Sequence, residues 1–95
     1  MSAREMFEEL GYTAIGNMRY EQVYFGDHMG DDDNKYIDRI DFIEPNEWTD
    51  NGICAETEVY DYFKHLQYSH TKSKTITPNE FKAIQKQIEE LGWEK

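Results

Sequence analysis

Two nearly identical phrases near the ends of the chain constrain its fold most strongly. Residues 7–12 read Phe-Glu-Glu-Leu-Gly-Tyr, and residues 88–93 read Ile-Glu-Glu-Leu-Gly-Trp. A glycine just past the last helical residue can adopt the left-handed conformation that ends a helix, and the residue after it folds back on the preceding turn. We therefore predict two helix ends, with Tyr12 against Phe7 and Trp93 against Ile88.

Both helices also have clear start signals. Ser2 and Glu5 have the spacing of a capping box, in which each side chain bonds the backbone amide of the other residue. Thr77 and Glu80 repeat this spacing, and Pro78 suits a first helical position because its missing N–H would be unpaired there. These signals predict helices from Ala3 to Leu10 and from Pro78 to Leu91.

The segments between the helices have the composition of β-strands. Met18 to Phe25 and Lys35 to Ile43 are rich in aromatic and β-branched residues and are bounded by Gly, Asp, Asn or Pro. We interpret them as a hairpin with a long, solvated loop. Thr57 to His65 also has strand-forming side chains, although its apolar spacing allows a helix as well, and we favour a third strand. Residues 69–75 are predicted to be a polar connection.

These elements predict a single α+β domain spanning residues 1–95. A three-stranded antiparallel sheet is flanked by an N-terminal and a C-terminal helix, in the order α-β-β-β-α. Cys54 is the only cysteine, which favours a reducing compartment and excludes an intramolecular disulfide. Because no apolar stretch is long enough to cross a membrane, we predict a cytoplasmic protein without a membrane partner.

Charge is distributed unevenly along the chain. The formal net charge is -10, yet residues 21–61 carry thirteen acids and two basic residues, whereas residues 62–88 carry five lysines and one acid. An acidic surface repels nucleic acid and attracts basic partners. We therefore predict no direct binding of nucleic acid. Acids that merely keep a small domain in solution are the competing interpretation.

Aromatic residues make up 15% of the chain. We expect six of them in the core: Phe7, Phe25, Phe42, Phe63, Phe81 and Trp93. The surplus is expected on the open face of the sheet: Tyr20, Tyr24, Tyr36, Trp48, Tyr60 and Tyr62. Exposed aromatic side chains either form a partner surface or stabilise the sheet through cross-strand pairs, and both interpretations stay open.

The ends of the chain resemble those of a protein family. Residues 3–12 and 76–93, with their Glu-Glu-Leu-Gly-Tyr and Glu-Glu-Leu-Gly-Trp endings, look like the openings and C-termini of small proteins encoded by phages and prophages of Gram-positive bacteria. The shared residues are capping and packing signals. The resemblance therefore implies a fold and a bacterial host, and it transfers no catalytic residue and no function.

The sequence contains few signals of chemistry. Asp31, Asp32 and Asp33 are clustered, but Tyr36 stands where a calcium-binding EF-hand loop needs glycine. His28, His65 and His70 lack metal-ligand spacing, and Cys54 lies among acids that disfavour its thiolate. We predict no catalytic residue, no metal site and no cofactor.

These observations favour a noncatalytic protein-binding or regulatory accessory protein of phage or prophage origin, either monomeric or a homodimer. Its partner surface combines the loop acids with aromatic side chains: Asp31, Asp32, Asp33, Tyr24, Tyr36, Trp48, Tyr60 and Tyr62. One alternative is an acidic mimic of DNA that inhibits a nucleic-acid-binding enzyme of the host. Another is a small metal-binding or hydrolytic module that uses the loop aspartates and the histidines.

Overall fold

The structure, a computed structural model, describes residues 1–25, 34–45, 47–48, 50–63 and 66–93; the side chains of residues 61–63 and 66–68 lie outside this description. Within these residues the chain forms two helices and five strands. They are α1 (Ala3–Glu9), β1 (Thr13–Ile15), β2 (Arg19–Phe25), β3 (Lys35–Ile43), β4 (Gly52–Phe63), β5 (Leu66–Ser73) and α2 (Pro78–Leu91). The α+β class is confirmed, but the sheet has five strands rather than the predicted three.

Both helices begin where the sequence predicts. α2 also ends at the predicted residue, Leu91, whereas α1 ends at Glu9, one residue before the predicted end. Ser2 and Thr77 form complete capping boxes with Glu5 and Glu80, respectively. At the other ends, Gly11 has φ 97° and Gly92 has φ 74°. The amide of the residue after each glycine bonds a carbonyl five residues back, Tyr12 to Phe7 at 3.0 Å and Trp93 to Ile88 at 3.1 Å. The ring of Tyr12 also contacts that of Phe7 edge-on, at 5.7 Å between centroids.

The strands form one antiparallel sheet in the order in which they occur along the chain. The predicted hairpin of β2 and β3 is confirmed, with Tyr20 opposite Ile40 and Tyr24 opposite Tyr36. The third predicted strand is longer than expected and begins at Gly52, so the helical alternative for this segment is wrong. The predicted polar connection over residues 69–75 is also wrong, because most of it belongs to β5 and pairs with β4.

Both helices pack on the same side of the sheet, and they form the core together with β2 and β3. Its buried members are Phe7, Tyr12, Tyr20, Ile40, Phe42, Ala83 and Ile84. The rings of Phe7 and Tyr20 stack at 3.9 Å between centroids. Tyr20, predicted on the open face, is therefore a core residue. Trp93 is partly buried against this core, as predicted, with its ring 6.3 Å from that of Phe42.

Two of the predicted core residues are exposed. Phe81 is 58% exposed because α2 turns a different face to the sheet, one that buries Glu80, Ala83, Ile84 and Gln87. Polar contacts explain this orientation: Tyr12 and Lys74 bond Glu80, and Tyr20 bonds Gln87. Phe25 is 72% exposed, because it lies at the end of β2 on the outer face of the sheet. The side chain of Phe63 lies outside the described residues.

The two helices lie side by side in opposite directions. The amide of Ala3, in the first turn of α1, donates a hydrogen bond of 2.8 Å to the carboxylate of Glu90 near the end of α2. At the other end of the pair, Leu10 and Lys82 line the same groove. The first and last elements of the chain are thus joined to each other.

Candidate functional site

The outer face of the sheet, on the side away from the helices, carries a row of ion pairs. Arg39 on β3 bonds Glu21 at 2.8 Å and Glu58 at 3.1 Å, on the strands to either side. Arg19 bonds Asp41 at 2.5 Å. The hydrogen bond to Glu21 raises the pKa of Arg39, and this effect outweighs burial, which acts to lower it. Each of these three acids is bonded to one of the two arginines, so this part of the acidic middle is not a bare anionic surface.

The same sheet ends in an exposed apolar segment at the last three residues of β2. Val23 is 51% exposed, Tyr24 42% and Phe25 72%. Alternate residues of a strand point to opposite faces, so Val23 and Phe25 lie on the outer face, whereas Tyr24 lies on the helix side with Tyr20. We call Val23, Tyr24 and Phe25, together with Tyr36 beside them on β3, the aromatic end.

Tyr24 is held in place by its neighbours on the helix side of the sheet. Its ring stacks on that of Tyr36, with 5.1 Å between centroids and 9° between planes. Its hydroxyl lies 3.4 Å from a carboxylate oxygen of Asp38, and the same oxygen accepts a 2.7 Å hydrogen bond from Thr57. Partial burial, and then the charge of Asp38, raise the pKa of Tyr24. The aromatic end therefore presents a pre-oriented ring.

The aromatic end coincides with an open edge of the sheet. β1 pairs only with residues 19–21 of β2, so nothing in the described part of the chain pairs with residues 22–25 on that side. Alternate residues of an edge strand direct N–H and C=O groups outward, which makes such a segment a template for another strand. The opposite edge, β5, differs in chemistry: its described residues 69–73 are exposed, polar and include Lys72.

The predicted partner residues are only partly brought together. Tyr24 and Tyr36 stack, but Tyr60 lies on the outer face, where the ammonium of Lys35 is 5.8 Å from its ring centre. Trp48 is exposed in the connection between β3 and β4. Asp31, Asp32, Asp33 and the side chain of Tyr62 lie outside the described residues. The sequence interpretation missed Val23 and assigned Phe25 to the core, since only the short length of β1 reveals the open edge.

A buried charged cluster lies at the start of α2, where the carboxylate of Glu80 contacts three partners. Lys74 bonds it at 2.8 Å, the amide of Thr77 at 2.9 Å and the hydroxyl of Tyr12 at 2.5 Å. Burial acts to raise the pKa of Glu80, but these hydrogen bonds lower it below its ordinary value. Burial, and then the bond to Glu80, raise the pKa of Tyr12. Because the polar groups of this cluster bond one another and thereby hold α2 against its neighbours, we interpret the cluster as structural.

Two grooves border the helices. One, of about 290 Å³, is lined by Met1, Met6, Glu9, Leu10, Asn79 and Lys82. The other, of about 280 Å³, lies where α2 ends beside the β1–β2 turn, and its lining includes the hydrogen-bonded pair of Tyr20 and Gln87. Neither groove presents a buried polar group that lacks a partner, since the described side chains contain none.

Comparison with protein-family models, curated proteins and solved structures finds no match to this chain. The geometry of the chain itself is therefore what indicates a function.

The described residues contain no group of three or more His, Cys, Asp or Glu side chains that could hold a metal ion. His70 lies on β5, whereas His28 and His65 lie outside the described residues. No described helix is both long and apolar enough to cross a bilayer.

Proposed function

We propose that this chain is a noncatalytic protein-binding protein that contacts its partner through the aromatic end. One observation carries the proposal: three consecutive exposed apolar side chains, Val23, Tyr24 and Phe25, lie on a strand segment without a described neighbour on one side. The resemblance of the chain ends adds the rest of the proposal, an accessory or regulatory role for a phage or prophage in the cytoplasm of its bacterial host.

The chemistry of the two sheet edges supports this role. Folded proteins normally protect an edge strand with charges or polar residues, because an apolar edge invites pairing with other chains. β5 follows that rule with residues 69–73, whereas β2 ends in valine, tyrosine and phenylalanine. Large aromatic side chains are also the ones that contribute most at protein interfaces. The sheet thus has one polar, protected edge and one apolar, unprotected edge. This contrast favours the apolar edge as a binding surface.

The acids on the outer face of the sheet do not support the alternative of an acidic DNA mimic. A mimic needs carboxylates free to replace phosphates, but Glu21, Asp41 and Glu58 are bonded to arginines on the outer face. The acids of the loop, Asp31 to Asp33, lie outside the described residues, so they lend this alternative no geometry. The aromatic end therefore favours protein binding over mimicry.

Site-specific photo-crosslinking in bacterial cells tests the proposal. p-Benzoylphenylalanine in place of Phe25 should give a discrete protein adduct, and Val23→Lys in the same chain should abolish it. The same photoprobe in place of Gln85, which is exposed on α2, is the control and should not give that adduct. Absence of any adduct at position 25, or an identical adduct from position 85, would contradict protein binding through the aromatic end.

A further inference from the structure

We propose that a second copy of this chain covers the open edge, by antiparallel pairing of residues 23–25 with the same residues of the partner about a two-fold axis at Tyr24. The inference rests on the proposed function, in that it names the protein that the aromatic end binds. The pairing would join two five-stranded sheets into one continuous sheet, and each edge would satisfy the other's outward backbone groups.

Symmetry restricts the register of such a pairing. Two copies that lie edge to edge and antiparallel are related by a two-fold axis perpendicular to the sheet, so each face meets the same face of the partner. Residues directly opposite each other in an antiparallel pair also share a face. The axis must therefore lie midway between one residue and the same residue of the partner. An axis level with a peptide bond would instead pair side chains from opposite faces.

The pairing of β1 selects one position among the described residues of the open edge. With the axis at Val23, Glu21 would lie opposite the partner's Phe25, but Glu21 already pairs with Thr13 of its own β1. With the axis at Tyr24, the partner's Phe25 lies opposite Val23, and every β1 pair is kept. The open edge thus leaves Val23, Tyr24 and Phe25 available for a Tyr24-centred pairing.

The side chains on both faces match in that register. On the outer face, Val23 meets the partner's Phe25 twice, once on each side of the axis, and aromatic side chains pair favourably with β-branched ones across strands. On the helix side, Tyr24 meets the partner's Tyr24, which would extend the Tyr24–Tyr36 stack to four rings. Val23, Tyr24 and Phe25 carry no charge, so the pairs that they form place no like charges opposite each other.

The net charge of -10 makes the second copy distinguishable from a basic partner protein. Two copies repel each other at long range, and salt screens that repulsion. Self-association should therefore strengthen as salt concentration rises. Binding of a basic partner would weaken under the same change.

Sedimentation of the purified full chain tests the association. The mass should rise with protein concentration from 11.4 kDa toward twice that value, and the rise should begin at lower protein concentration in high salt. Val23→Lys and Phe25→Lys should stay at the monomer mass. Phe81→Lys changes a similarly exposed phenylalanine on α2 and should behave as the parent chain does. A parent chain that keeps the monomer mass throughout, at low and high salt, would overturn the proposal.

Disulfide trapping tests the register, in a Cys54→Ser background that removes the native thiol. Opposed residues in an antiparallel pair have Cα atoms about 4.5 to 5.5 Å apart, within disulfide range. Tyr24→Cys should therefore form a covalent dimer. A mixture of Val23→Cys and Phe25→Cys chains should cross-link faster than either chain alone, and Thr71→Cys on β5 should not cross-link.

The outcomes separate this inference from the proposed function. Faster cross-linking of Val23→Cys with itself than with Phe25→Cys would overturn the Tyr24-centred register. A monomeric parent chain whose photo-adduct at position 25 contains a different protein would overturn the second copy as partner and leave protein binding standing. Loss of both the adduct and the dimer would overturn both.

Discussion

The hydroxyl of Tyr20 on β2 donates a hydrogen bond of 2.7 Å to the side-chain carbonyl oxygen of Gln87 on α2. Both side chains are buried, and the amide nitrogen of Gln87 donates in turn to the carbonyl of Asn17 at 3.3 Å. A glutamine in the buried face of a helix is unusual unless its polar atoms are bonded. This pair fixes how α2 is rotated over the sheet, and it explains why Phe81 is directed outward.

Replacing Gln87 should expose the dependence of the core on this bond. Gln87→Leu leaves the buried hydroxyl of Tyr20 without its acceptor, and we expect the free energy of unfolding in urea to fall by about 2 kcal/mol. Adding Tyr20→Phe removes the unpaired hydroxyl, so the double variant should lose less than the sum of the two single losses. Gln85→Leu, on the exposed side of α2, should change stability by less than about 0.5 kcal/mol. Strictly additive losses would contradict the bond.

The Glu80 cluster should make stability depend on pH. Because its folded-state pKa lies below the ordinary value of 4.5, ionised Glu80 stabilises the fold above pH 4.5. That stabilisation is lost as the pH falls from 4.5 through the folded-state pKa. Glu80→Gln should lower the free energy of unfolding at neutral pH by about 3 kcal/mol, since it leaves Lys74 buried without its counter-charge.

A thermal unfolding series over pH measures this effect. The melting temperature of the parent chain should fall more steeply below pH 4.5 than that of Glu80→Gln. Glu9→Gln, at an exposed position of α1, provides the matched control and should keep the steep slope of the parent chain. Parallel slopes for the parent chain and Glu80→Gln would show that this carboxylate does not couple folding to pH.

The two helix-ending glycines should differ in their tolerance of alanine. Gly92→Ala meets no atom within 4 Å, so only its positive φ opposes the change, and we expect a loss of about 1 kcal/mol. Gly11→Ala has the same kind of strain and also places its Cβ 2.5 Å from the side-chain nitrogen of Gln22, which must move. In chemical denaturation, Gly11→Ala should therefore lower the free energy of unfolding more than Gly92→Ala does. In a Gln22→Ala background the two losses should become more alike. Equal losses would contradict the contact.

Arg39 and Arg19 should contribute unequally to stability. Arg39 has a side chain only 16% exposed and bonds two acids on neighbouring strands, whereas Arg19 is 45% exposed. We expect Arg39→Ala to lower the free energy of unfolding by about 2 kcal/mol, because charge-assisted bonds are lost and Glu21 and Glu58 lose their counter-charge. Arg19→Ala should cost less than about 1 kcal/mol, and its effect should shrink in high salt. Both losses are measured by unfolding in urea, which is uncharged. Equal losses of the free energy of unfolding would be inconsistent with this ranking.

The parts of the fold that the sequence predicted well are those coded locally. Capping boxes at Ser2 and Thr77 and glycines at positions 11 and 92 act within one turn, so both helices and their ends could be placed from the sequence. The β3 strand was predicted with its observed bounds, Lys35–Ile43, because its composition changes sharply at both ends.

The missed strands depend on their neighbours rather than on their own residues. β1 has three residues, too few to show a period, and it exists because β2 offers it a partner. β5 includes polar residues such as Ser69 and Lys72 that are typical of a loop, yet it pairs with β4. Tertiary context overrides strand propensity in this way where one edge of the strand is solvated.

The candidate site was only half predictable for the same reason. Tyr24 and Tyr36 could be singled out by residue type, but their stacking needs the register of β2 against β3. That Val23 and Phe25 lie on an open edge depends on the length of β1, which no pattern in these residues reveals. The site begins where the pairing of β1 with β2 stops. It is therefore a property of the sheet and not of a sequence motif.

The bond between Ala3 and Glu90 has a consequence for the order of events during synthesis. Each strand pairs with the next one along the chain, so the sheet can form progressively as the polypeptide leaves the ribosome. The helix pair, in contrast, joins residues 87 positions apart. Water is therefore excluded from around Phe7 and Tyr20 only after Ala83 and Ile84 of α2 have been synthesised. A nascent chain that stops short of α2 presents its aromatic side chains to chaperones and proteases.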